Sequence, residues 1–118
     1  MDAVSGRPDA WWLRGSRMRT KPALMDEWAA AAQFPPHFGA TWDALRDVLA
    51  DLPEGGMFLI LEAEQLLQEA PPAELGTLFA VLREVREDLA PKPFRVVLQV
   101  EPEHQEPLIQ GLKALGVL

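Results

Sequence analysis

The stretch Met57-Phe58-Leu59-Ile60-Leu61-Glu62 constrains this chain more than any other. Its five consecutive apolar residues are bounded by Gly55–Gly56 on one side and Glu62 on the other. A run this short, without alternation, fits a strand covered on both faces, as in the middle of a parallel sheet. Parallel neighbours cannot be joined by a hairpin, so each must be reached through a crossover, usually a helix.

Two other segments supply the neighbours. Ala10–Arg14 (AWWLR), stopped by Gly15, reads as a first strand, and residues 94–100 (FRVVLQV) read as a third. Between them the chain carries helical periodicity cut by prolines. Thr20 is the expected N-cap of a first helix with Pro22 in its opening turn, followed by Leu24, Met25, Trp28 and Ala29–Ala32. Pro35 and Pro36 forbid its continuation, since each lacks an N–H and fixes φ, and Gly39 is the expected site of a positive φ. From Thr41 a second amphipathic pattern begins, with Trp42, Leu45, Leu49 and Leu52 recurring at helical steps until Pro53. Residues 62–68 (EAEQLLQ) predict a short helical turn before Pro71–Pro72. A longer helix follows, its stripe made of Leu75, Leu78, Phe79, Leu82 and Val85, ended by Pro91 and Pro93. After the third strand, Leu108, Ile109, Leu112 and Leu115 predict one more helix with these residues inward. The fold class is therefore α/β: a small three-stranded parallel sheet with helices packed on it and a C-terminal helical extension.

At 118 residues the chain is long enough for a core without staples. Residues 1–9 read as a flexible leader and 10–118 as a single domain, with the extension starting near 101. The absence of cysteine removes disulfides and thiolate chemistry. No basic, apolar start suggests a signal peptide, and no run approaches the ~20 apolar residues of a membrane helix. The expectation is a cytoplasmic protein with no membrane partner, a monomer when free. Net charge is −7, which disfavours nucleic acid and suits a basic protein partner.

Asp43, Asp47 and Asp51 stand at i, i+4 and i+8, opposite the Trp42/Leu45/Leu49 face. On a helix such carboxylates sit roughly 6 Å apart. Two readings are open: a solvated face, or a row of charges imitating a phosphodiester chain. A metal site built from His37, Asp43, Asp47 and Glu62 lacks any recognised ligand spacing. Ser5 and Ser16 have no nucleophile setting and the glycines form no phosphate loop. No catalytic residue, metal or cofactor is expected. Among the aromatics, Trp11, Trp12, Trp28 and Trp42 suit the core. A proline-stiffened loop cannot easily bury Phe34, His37 and Phe38 together, which marks them as interface anchors.

The run Phe34-Pro35-Pro36-His37-Phe38-Gly39-Ala40-Thr41-Trp42-Asp43-Ala44-Leu45 resembles the hallmark of the barstar family, and the order of elements is similar from about Ala10 to Val100. That resemblance implies an intracellular inhibitor of a barnase-like secreted ribonuclease, of antitoxin or immunity type, that plugs a basic active site with an acidic helix and the loop before it. Position by position it implies partner contacts at His37, Phe38, Gly39, Thr41, Trp42, Asp43, Arg46 and Asp47, with Asp47 dominant and Glu84 flanking. The alternative is a barstar-like adaptor whose target is not a ribonuclease. Three positions depart from the family pattern: His37 replaces a common tyrosine, Thr41 the usual asparagine, and Arg46 an aromatic. Arg46 puts a cation on the contact face, which argues for a target other than barnase. The extension beyond about Val100 has no counterpart in the pattern and is expected to cover a sheet face or edge.

Overall fold

The computed structural model describes residues 10–118; the leader expected over 1–9 lies outside them. Strand β1 (Ala10–Arg14) leads through a 3-10 turn (Gly15–Arg17) to helix α1 (Lys21–Ala32) and helix α2 (Trp42–Ala50). Strand β2 (Gly56–Leu61) follows, then a 3-10 turn (Ala63–Gln65), helix α3 (Pro72–Leu89), strand β3 (Phe94–Leu98) and helix α4 (Pro102–Ala114). The sheet order is β1-β2-β3, all parallel, with Trp12 opposite Leu59 and Leu59 opposite Val97. The apolar run is thus the central strand, reached on both sides by helical crossovers.

One side of the sheet carries the core. Phe58 and Ile60 of β2, Leu13 of β1 and Phe94 of β3 are buried with Leu24, Met25 and Trp28 of α1 and Leu45 and Leu49 of α2. Phe58 is the hub, stacked against Trp11 at 4.8 Å and tilted against Trp28 at 4.6 Å. Each such side chain contributes about 1.5–3 kcal/mol by leaving water. The stripe of α3 closes this layer through Leu78, Val81, Leu82, Val85 and Leu89.

The other side differs from the expected double cover. Along β2 burial alternates: Phe58 and Ile60 are buried, whereas Leu59 and Leu61 are half-buried and Met57 is exposed. Trp12, expected in the core, lies on this open side with 66% of its surface accessible. A continuous apolar run therefore does not require two fully covered faces: on the second side Leu59 and Leu61 share an open pocket with Leu108, Ile109 and Leu112 of the last helix. Helix α4 packs near one edge, where Leu112 is buried and Leu108 and Ile109 are half-buried, while Leu115 is exposed just past its end.

Two close approaches fix the strand ends. A Cβ on Gly15 would fall 2.1 Å from the Glu62 carbonyl oxygen, so only glycine lets the chain leave β1 beside the end of β2. Gly55, at φ 70, would collide with the Pro93 carbonyl in the same way. The helical turn expected over 62–68 is only a single 3-10 turn. Beyond it the backbone leaves helical geometry to bond elsewhere, the Leu67 and Glu69 N–H groups donating to Met18 and Arg19 carbonyls at 2.7 and 2.9 Å.

Candidate partner-binding face

The loop before α2 is pinned from beneath. The Phe34 N–H bonds the Ala29 carbonyl and the Phe38 N–H the Pro35 carbonyl, both at 3.0 Å, forming a compact turn across the two prolines. The Phe34 and Phe38 rings meet edge-on at 4.9 Å and pack, half-buried, against the core. These two are therefore supports more than anchors, and of the three residues marked for exposure His37 is the one that projects into solvent. Gly39 does not take the expected positive φ. Ala40 takes it instead, at φ 55, and a Cβ on Gly39 would make only an ordinary 3.7 Å contact with Ala44.

Thr41 begins the helix. Its Oγ1 accepts from the Ala44 N–H at 3.0 Å, an N-cap that satisfies one of the orphan donors of the first turn. Asp43 follows, exposed in that first turn where the helix dipole favours an anion. Trp42 is half-buried, and its indole N–H donates to Glu74 on α3 at 3.2 Å. The Lys21 ammonium stands 5.5 Å from the centre of its ring. Trp42 thus bridges three helices at the rim of the core, and is not the fully inward residue its spacing predicts.

Side by side, α2 and α3 build the acidic surface. Asp47 is 67% exposed, yet it is not without a partner. The Arg46 guanidinium lies 3.2 Å from Asp47, 3.7 Å from Glu84 and 3.7 Å from Asp88. Arg46 therefore sits inside a ring of three carboxylates drawn from both helices, and the ring keeps a net charge of −2. Asp51, placed in the same row by sequence, falls at the C-cap of α2 instead of on the helix. The structure brings Asp43, Arg46, Asp47 and Glu84 onto one surface, with His37 and Gly39 exposed in the adjoining loop.

Two contributors escaped the sequence reading. Asp88 completes the ring one turn after Glu84, and Glu74 orients Trp42. The signal for Asp88 was its i+4 spacing from Glu84, but spacing within one helix does not reveal that α2 packs beside it. Glu62 lies elsewhere, accepting from the Ser16 hydroxyl at 2.6 Å with Arg14 at 3.6 Å. Hydrogen bonding from Ser16, reinforced by the Arg14 charge, holds its carboxyl below the ordinary glutamate range. Among the described residues no group of three or more His, Cys, Asp or Glu side chains is arranged to hold a metal ion.

A three-stranded parallel sheet backed by helices, with a pinned loop and a two-helix acidic surface, defines a small α/β domain. The chain belongs to the barstar family: residues 10–99 match the family described as Barstar (barnase inhibitor). The family is one of inhibitors and not of enzymes. No curated protein gives a match. The matched segment contains the loop, α2 and α3 and ends just after β3, leaving α4 outside it.

Proposed function

We propose that the chain inhibits a barnase-like ribonuclease in the cytoplasm of its host, acting as a monomer that lays the His37–Gly39 loop and the acidic α2–α3 surface over the nuclease active site. The observation that carries this reading is the carboxylate ring around Arg46, with Asp47 its most exposed member. A ribonuclease holds its scissile phosphate with cations in a cleft that focuses positive potential. An exposed carboxylate on the face of a rigid helix can accept the hydrogen bonds that the phosphate would accept. Asp47 occupies that position, Asp43 and Glu84 flank it, and the net charge of −7 steers the encounter.

The pinned loop helps in a second way. Its turn and packed phenylalanines are already formed, so little ordering entropy is lost when His37 and Gly39 dock. Arg46 favours a target whose cleft differs from that of barnase, because a partner cation must share the ring with it.

The test is capture from an extract of the native host with the immobilised chain, using Asp47→Ala as the control bait. The reading expects a basic ribonuclease retained by the wild-type chain and lost from the control. A specifically retained partner without ribonuclease activity would sink it in favour of the adaptor alternative.

A further inference from the structure

Helix α3 has two differently charged flanks. Glu84 and Asp88 lean toward Arg46 of α2, whereas Arg83 and Arg86 lie on the opposite flank beside β3. There α3, β3 and the segment from Leu112 to Leu118 border an open groove of about 370 Å³. Its lining includes Phe79, Leu82, Phe94, Leu112 and Val117, and its charged groups are Arg83, Arg86 and Arg95. β3 is the last strand of the sheet, so no further strand closes this side.

What sets these three arginines apart is that they share one groove. Arg14, Arg19 and Arg46 each lie within 4 Å of a carboxylate. Arg83, Arg86 and Arg95 make no ion pair or side-chain hydrogen bond among the described residues. Three cations gathered in one groove, with no carboxylate of the described residues paired to them, stand out on a chain of net charge −7. Guanidinium groups are poorly hydrated and offer forked donors that match phosphate and carboxylate oxygens. Behind them lies apolar volume at the low end of the ~300–1,000 Å³ found in small-molecule sites.

We propose that this wedge is a binding site for a small amphiphilic anion, its phosphate or carboxylate head held by Arg83, Arg86 and Arg95 and its apolar tail lodged against Phe79, Phe94 and Leu112. The site shares no residue with the acidic surface and does not depend on the inhibitor reading. A ligand here would touch the opposite flank of the helix that supplies Glu84.

Titration calorimetry with octyl phosphate, octanoate and inorganic phosphate tests it, each amphiphile kept below its micelle concentration. Saturable one-to-one binding of octyl phosphate or octanoate is expected, and the tighter of the two identifies the head group. Arg83→Gln/Arg86→Gln/Arg95→Gln should weaken binding more than about tenfold, since the head group loses its charged hydrogen-bond donors. Asp47→Ala should bind as the wild type does. On the unaltered chain, amide shifts on titration should be confined to α3, β3 and residues 112–118. Three results would overturn the proposal: no binding of either amphiphile, unchanged binding by the folded triple variant, or inorganic phosphate binding as tightly as octyl phosphate.

Discussion

The Arg46 guanidinium lies 3.2 Å from the Asp47 carboxylate, and the same group reaches Glu84 and Asp88 across the helix boundary. Exposed pairs of this kind stabilise a fold by only about 0–1 kcal/mol each. In the proposed inhibitor role they bear on encounter. The ring that would receive a partner's cation already contains one, which has to move or share when a partner binds.

Arg46→Ala should therefore tighten binding to a basic ribonuclease while lowering fold stability by no more than about 1 kcal/mol. Barnase serves as the probe. Surface plasmon resonance at low and high salt is expected to give a several-fold faster association and a steeper salt dependence for the variant. Weaker binding would mean that Arg46 makes a favourable contact of its own.

Trp42 separates fold from surface. Trp42→Phe keeps most of the apolar contact and removes the hydrogen bond to Glu74, which should cost about 0.5–1.5 kcal/mol in urea unfolding. Trp42→Ala should cost more, but less than the ~3–5 kcal/mol of a fully buried aromatic, because the side chain is half-buried. A larger loss would place the indole deeper in the core than its accessibility indicates.

The sequence made the architecture readable because its signals there are local. Thr20 caps the helix expected of it, and Thr41, where the second pattern begins, caps α2, with Ala23 and Ala44 N–H groups donating to their hydroxyls. The run at 57–61 gave the central strand, and prolines gave most element ends. What stayed hidden depended on packing between elements. Arg46 is the chain neighbour of Asp47, but the Glu84 and Asp88 carboxylates that complete the ring around it arrive only because α2 lies against α3. The open side of the sheet was hidden too, since a row of apolar letters does not say how many layers cover it. Gly39 drew the expected positive φ by its residue type, yet the geometry of the turn passes that torsion to Ala40.

Ala40→Gly follows from that displacement. A left-handed torsion costs a residue with a Cβ about 1–2 kcal/mol, and glycine's extra freedom in the unfolded chain costs about 0.5–1. The variant should be stabilised by up to about 1 kcal/mol in chemical denaturation. A destabilised Ala40→Gly would show that Ala40 is not strained.

Glu62 gives the fold an acid-sensitive element. Its carboxyl is held below the ordinary glutamate range by Ser16, with Arg14 adding to the effect. A group depressed in the folded state contributes stability above its unfolded value and loses it as pH falls through the folded value. Wild-type stability should thus decline from the ordinary glutamate range downward. Ser16→Ala should decline less steeply over the same window, as read by urea midpoints at neutral and acidic pH. Equal slopes would contradict the assignment to Ser16.

The most direct measurement concerns Asp47. A ribonuclease captured by the wild-type chain is assayed for RNA cleavage against increasing wild-type chain or Asp47→Ala, both checked for an unchanged fold by their melting curves. Truncating one side of a buried, hydrogen-bonded charge pair costs about 2–5 kcal/mol, each ~1.4 kcal/mol being tenfold in affinity. The expected result is stoichiometric inhibition by the wild-type chain and an inhibition constant raised about thirtyfold or more in Asp47→Ala. Equal inhibition by the two chains would contradict the claim that the acidic surface blocks the nuclease.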